Sequence, residues 1–249
     1  MENKVVMITG ASKGLGRSLA IAFAKNGANL AICARNEQKL LEVRDEVENF
    51  GVKVLAVAAD ISDIRDIEKF VALTEETFGH IDVLINNASI LGPNPMPLLL
   101  DYPERDFFEV LKVNTVSQFI LTKRVLPGML QRKRGSIINL TSEAGKTGFA
   151  GWGAYGISKF ALEGLTQTWA DELAETNIRM NMVDPGEMDT EMHRLAVPEC
   201  DYELADPNDV VDVFLYLASE ESTENGQRVN SLEFLEGRRD SHATRKNIF

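Results

Sequence analysis

Lys4 to Thr9 (KVVMIT) is a short β-branched run with no polar face, the pattern of a strand covered on both sides. It passes directly into Gly10-Ala11-Ser12-Lys13-Gly14-Leu15-Gly16 and then into a helical pattern from Arg17 to Lys25, stopped by Asn26-Gly27. The same unit recurs. An apolar strand, Asn29 to Ala34, precedes an amphipathic helix from Glu37 to Phe50. A third strand, Val52 to Ala59, precedes a helix from Asp63 to Phe78, and a fourth, Ile81 to Ile85, runs into Asn86-Asn87-Ala88. Strand and helix alternate every 20–35 residues or roughly so, which predicts βαβ units around a parallel sheet covered on both faces.

The second half continues the pattern less evenly. Ile90 to Pro103 carries four prolines and reads as a loop. A long helix is predicted from Pro103 to Leu130, with Pro127 kinking its end. A fifth strand spans Ser136 to Leu140, a helix Trp152 to Glu175, and a sixth strand Ile178 to Val183. Residues 185–206 lack periodicity and read as a mobile loop with short helical pieces. Asp206-Pro207 reads as a cap opening a helix to Ala218, and Gln227 to Leu235 alternates like a seventh strand. With no repeat or linker, residues 1–236 read as one domain and 237–249 as a frayed tail.

Charge excludes several classes of partner. A net charge of −12 argues against nucleic acid and anionic membranes, both of which need a basic face. The cluster Arg132-Lys133-Arg134 reads as the solvated end of a helix. Two cysteines, Cys33 and Cys200, cannot build a zinc site or disulfide framework, and Cys33 reads as a small buried hydrophobe. His80, His193 and His242 show no metal-ligand spacing, so no metal is expected. The chain enters its first strand without signal-peptide architecture and has no apolar run of membrane-spanning length. A soluble, cytoplasmic protein is the expectation.

The glycine turn carries chemistry. Placed between a first strand and first helix, it lets main-chain N–H groups approach a pyrophosphate. Its spacing here is G-x3-G-x-G. NAD sites usually place an acid about twenty residues later, for the ribose hydroxyls. This chain has Ala34 there, followed by Arg35, and Lys13 adds a cation inside the turn. Two cations and no acid suit a 2′-phosphate, so NADP(H) is the expected cofactor.

A second constellation sits at Tyr155 and Lys159, four residues apart at the front of a helical run. That spacing puts phenol and ammonium on one face. A neighbouring cation favours phenolate, and reaching neutrality from an ordinary phenol takes about three pKa units, roughly 4 kcal/mol. Ser142, at the end of the fifth strand, could reach the same phenol. Composition alone gives about 0.2 accidental Tyr-x-x-x-Lys pairs, so the surroundings decide the pair's meaning.

Taken together, these residues resemble the short-chain dehydrogenase/reductase family in its single-domain form. The resemblance rests on Thr9 to Gly16, Asp60-Ile61, Asn86-Asn87-Ala88, Asn114, Ser142, Tyr155-Gly156-Ile157-Ser158-Lys159 and Asn181 to Gly186. It implies a Rossmann-type, doubly wound, predominantly parallel seven-stranded sheet. It also implies that Tyr155 is the general acid, that Lys159 lowers its pKa and holds the nicotinamide ribose, and that Ser142 hydrogen-bonds the substrate oxygen. Asn114 would bind a water linking Lys159 to solvent. Gly10, Ser12, Lys13, Gly14, Leu15, Gly16 and Arg35 would hold the phosphates, Asp60 and Ile61 the adenine, Asn87 and Ala88 a ribose. Pro185, Gly186 and Thr190 would face the nicotinamide, with substrate covered by about 187–206. Homo-dimers or tetramers are common in the family, but the chain departs from it at Ser89, at Asp184 and after Gln227, where a Gly-Gly turn is absent.

The resulting expectation is an NADPH-dependent reductase acting on a carbonyl or secondary alcohol. Substrates of the 3-oxoacyl-carrier kind fit less well, because an acidic carrier finds few cations beyond Arg124, Arg132, Lys133 and Arg134. A redox sensor would typically have lost the tyrosine or lysine. A sugar-nucleotide epimerase would space its glycines differently and carry a larger C-terminal region.

Overall fold

The structure, a computed structural model, describes residues 1–237. The element order is β1 (Val5–Thr9), α1 (Gly14–Lys25), β2 (Asn29–Ala34), α2 (Glu37–Glu48), β3 (Val54–Ala58), α3 (Ile64–Phe78) and β4 (Val83–Asn86). There follow α4 (Glu104–Leu111), α5 (Ser117–Arg132), β5 (Gly135–Leu140), α6 (Gly153–Glu172), β6 (Ile178–Asp184), α7 (Glu191–Ala196), α8 (Asp212–Ala218) and β7 (Arg228–Asn230). The seven strands form one sheet in the order β3-β2-β1-β4-β5-β6-β7, and every pairing is parallel. The expected doubly wound architecture is therefore present.

Side-chain alternation along the strands divides the core in two. Val6 and Ile8 face α1, α2 and α8 through Leu19, Phe23, Leu40, Val43 and Phe214. Met7, Ala31 and Cys33 face α3, α5 and α6 through Phe70, Leu121, Met129 and Ala170. A strand with two covered faces has no place for a polar stripe, which is why KVVMIT lacks one. Each fully buried aliphatic or phenylalanine side chain contributes about 1.5–3 kcal/mol. Strand order reverses at the β1–β4 junction, so a crevice opens beyond the carboxyl ends of those strands.

Several boundaries differ from expectation, each for a local reason. The helix expected from Pro103 to Leu130 is α4 and α5 joined by a π turn, Lys112–Val116. Pro127 lies inside α5, which runs on to Arg132, where Lys133 turns left-handed at φ 55°. Arg132 is not simply solvated: it donates to the carbonyls of Gly128 and Ile81, tying the helix end to the start of β4. Asp206 caps a turn through the amide of Asn208, and the helix begins six residues later at Asp212. The seventh strand is only Arg228–Asn230, and residues 231–237 are helical. Asn230 stops the strand by accepting hydrogen bonds from the amides of Leu232 and Glu233. Residues 185–206 contain α7 and a bridge between Met188 and Ala205. The expected tail lies outside the described residues but for residue 237. Among the described residues no helix is long and apolar enough to cross a membrane, and no cluster of three potential metal ligands occurs.

Candidate active site

A cleft of about 1340 Å³ opens at the carboxyl ends of the strands. Of the residues singled out from sequence, Gly10, Ser12, Lys13, Gly14, Leu15, Gly16, Arg35, Asp60, Ile61, Asn87, Ala88, Ser142, Tyr155, Lys159, Pro185, Gly186 and Thr190 all line it. Asn114 alone does not.

The glycine turn is shaped for close approach. Gly14 has φ +52°, and a Cβ on Gly16 would stand 2.5 Å from the Asn87 amide nitrogen. Asn87 is occupied in bracing the turn: its side chain donates to the carbonyls of Thr9 and Gly10 at 2.8 and 3.2 Å. Helix α1 begins at Gly14 with no side-chain cap and no acid in its first turn. Its first N–H groups and the positive end of its dipole therefore face the cleft uncompensated, as a pyrophosphate requires. Ser89 Oγ, also lining the cleft, is buried without a hydrogen-bond partner. These features fit a nicotinamide dinucleotide.

The cations behave differently from one another. Arg35 is exposed at the end of β2 and has no ion-pair partner among the described residues. Lys13 pairs with Glu191 of α7 at 2.7 Å, across the cleft. Sequence reasoning missed Lys39, which also lines this wall; its amide binds the Asn36 side chain that caps α2. The signal was available, because Asn36 directly follows Arg35 and starts a helix.

At the other end, Ser142 closes β5 and caps the short 3₁₀ turn Glu143–Gly145, accepting from the Ala144 amide at 3.2 Å. Its hydroxyl acts on the Tyr155 phenol, favouring the ionised form. The helix α6 brings Lys159 to the same wall, only 1% exposed, with its Nζ donating to the Leu140 carbonyl at 2.7 Å. That Nζ lies 5.4 Å from the centroid of the Tyr155 ring.

Burial pushes Tyr155 up to about 12, the Ser142 hydrogen bond pulls down, and Asp184 pushes up further. The ammonium is directed at the Leu140 carbonyl. Burial also pulls Lys159 down to about 8, opposed by Asp184 and Glu163.

Asn114 sits in the π turn, fully buried. Its side chain accepts from the Ile90 amide and donates to the Ile90 carbonyl and Ser158 Oγ, all at 2.9–3.0 Å. It thus joins the loop after β4 to α6. The wall beyond Tyr155 is apolar, formed by Leu91, Met96, Trp152, Met192 and Ala196, with the Trp152 and Tyr155 rings 5.6 Å apart. Cys33 is fully buried as expected, and burial pushes its thiol up to about 12.

A parallel sheet with a phosphate-type turn at its switch point and a Ser-Tyr-Lys wall defines a class of nucleotide-dependent oxidoreductases. The chain belongs to the short chain dehydrogenase family, which it matches over residues 4–200. It is 36% identical over 233 residues to the 3-oxoacyl-[acyl-carrier-protein] reductase FabG of Thermotoga maritima, covering 90% of this chain and 93% of that one. A short chain dehydrogenase from Shigella flexneri complexed with NADP superposes with a TM-score of 0.88 at 29% identity, covering 93% of this chain and 98% of the other. NAD+-bound xylitol dehydrogenase gives 0.84 at 28%, covering 92% and 97%. The protein is an oxidoreductase of this family.

Proposed function

We propose that the protein is an NADPH-dependent reductase of an uncharged, apolar ketone or aldehyde. The observation that carries this reading is the common wall of Ser142, Tyr155 and Lys159, opposite the uncapped N-terminus of α1. Bound NADPH would supply the hydride that reaches the carbonyl carbon. Tyr155, protonated at neutral pH because burial holds its pKa near about 12, donates its proton to the carbonyl oxygen. Ser142 donates a hydrogen bond to that oxygen and stabilises its developing charge. Lys159, near about 8, is able to return a proton to the phenolate and to hold a ribose hydroxyl. Asn114 serves through the π turn it fixes beside α6, where enlarged turns often accompany function.

Arg35 supports NADP(H) over NAD(H), since its guanidinium has no ion-pair partner among the described residues and can take a 2′-phosphate bidentately. The two solved relatives divide between these cofactors, so the preference rests on this chain's own residues. The apolar wall around Trp152 supports an uncharged substrate, and Glu143 and Glu187 on the cleft disfavour an anionic one. Exposed Phe108, Phe119, Ile157 and Phe160 on α4, α5 and α6 support self-association into a dimer or tetramer. Two free thiols suit a cytoplasmic setting.

Monitoring NADPH oxidation by purified protein against a carbonyl panel tests the reading. Turnover is expected with uncharged ketones or aldehydes and weaker with keto acids of matched size. Tight NADPH binding without turnover of any carbonyl would replace the reductase with a cofactor sensor.

A further inference from the structure

Arg228 lies on the edge strand β7, outside every motif noted in the sequence, yet four acceptors converge on it. Its Nε donates to Glu163 Oε1 at 3.0 Å and its Nη2 to Asp184 Oδ2 at 2.8 Å. The same Nη2 donates to the main-chain carbonyl of Ser142 at 3.1 Å and stands 3.4 Å from Glu143 Oε2. The guanidinium side chain is 20% exposed, with Glu163 at 11% and Asp184 at 4%. Each partner belongs to a different piece of the carbonyl site. Asp184 ends β6 and holds the Gly186 amide at 3.1 Å, while Glu163 lies one turn beyond Lys159 on α6 and accepts from Thr141 at 2.6 Å. Ser142 closes β5.

We propose that Arg228 is a positioning residue for the carbonyl site, pinning the main chain at Ser142 to the helix bearing Tyr155 and Lys159 through Glu163 and Asp184. This rests on the catalytic reading of Ser142, Tyr155 and Lys159 above. Two consequences follow from one side chain. The planar fork fixes the distance between Ser142 on β5 and α6, and misplacement of about 1 Å at such a site costs roughly a hundredfold in rate. Its charge also balances carboxylates that act on the reacting groups. The charged groups that act on Tyr155 and Lys159 are Asp184 from β6 and Glu163 from α6; Arg228 from β7 bonds both and stands beside Glu143 of the 3₁₀ turn. Asp184 raises both Tyr155 and Lys159, and Glu163 raises Lys159. Arg228 is the cation bonded to both acids.

Arg228→Met, Arg228→Lys and the pair Arg228→Met with Glu163→Gln are compared with wild type for kcat, KM of NADPH and the pH profile of kcat. Arg228→Met is expected to lower kcat roughly ten- to a hundredfold with KM of NADPH nearly unchanged. It is also expected to move the limb of the profile set by Lys159 upward by about one pH unit, because two carboxylates that raise its pKa lose their counter-charge. Arg228→Lys restores the limb but only part of kcat, since one ammonium cannot span the same acceptors. Removing Glu163's charge in the double variant brings the limb back down. Should Arg228→Met fail to fold, Glu163→Gln alone is read, and its limb is expected to move downward. Wild-type kcat and limb in Arg228→Met, or an unmoved limb in Glu163→Gln, overturns the proposal. Tyr155→Phe run alongside separates the readings: its retained turnover removes the catalytic assignment, whereas its inactivity beside a fully active Arg228→Met removes only the role of Arg228.

Discussion

Lys159 makes the free protein less stable than it would otherwise be, and Lys159→Met exposes the cost. Burial holds the lysine at about 8, against 10.5 for an ordinary one. Between those values the unfolded chain binds a proton that the folded chain has released, so wild-type stability rises with pH across the window. Below pH 8 the full penalty applies. The difference of about 2.5 units corresponds to roughly 3 kcal/mol, most of which is relieved between pH 7 and pH 10. Lys159→Met has no such group. The stability gap between the variant and wild type should therefore shift by roughly 2–3 kcal/mol in favour of wild type over that range. Comparing the gap at two pH values cancels any packing change, which is the same at both. Urea unfolding of both proteins, without cofactor, at steps from pH 7 to pH 10 measures it. Tyr155 titrates above this range in the folded protein and is common to both chains. A gap independent of pH would refute the claim that Lys159 is held charged at a desolvation cost.

Arg35→Asp should raise the KM of NADPH roughly ten- to a hundredfold while leaving NADH little affected, since a carboxylate repels the 2′-phosphate; an unchanged NADPH/NADH ratio removes the cofactor argument. Glu191→Gln frees Lys13 from its 2.7 Å ion pair and should tighten NADPH binding roughly two- to fivefold at low salt, by fluorescence titration. No change there would mean that Lys13 does not meet the phosphate. A disulfide reagent at pH 8 should label Cys200 in the folded protein and leave Cys33 untouched until denaturant is added, because the latter is buried with its thiol near about 12; rapid labelling of two thiols in the native state contradicts that burial.

Sheet and cofactor turn were legible because each rests on local chemistry. A strand buried on both faces announces itself by an unbroken β-branched run, as at β1, and a glycine with φ +52° announces a turn no other residue takes easily. Tyr155 and Lys159 were legible because four residues on a helix is a fixed geometry. What sequence did not disclose depends on distance through space. The π turn at Asn114 holds a side chain bonded to Ile90 and Ser158, which are 24 and 44 residues away. Arg228 meets Asp184 and Glu163 across 44 and 65 residues, with no spacing rule to link them. The phenol's raised pKa is a matter of burial, which the four-residue spacing cannot report. The helical run after β7 was misread because Leu232, Phe234 and Leu235 fit both a period of two and the i, i+3 spacing of a helix over so short a stretch.

In the proposed reaction Tyr155 supplies the proton that accompanies hydride transfer within this cleft. Tyr155→Phe, measured for NADPH affinity by fluorescence and for NADPH-linked carbonyl turnover in parallel, tests it most directly. Affinity within a few-fold of wild type, with turnover reduced roughly 10²- to 10⁴-fold, is the predicted result. Turnover retained at the wild-type rate would contradict the account.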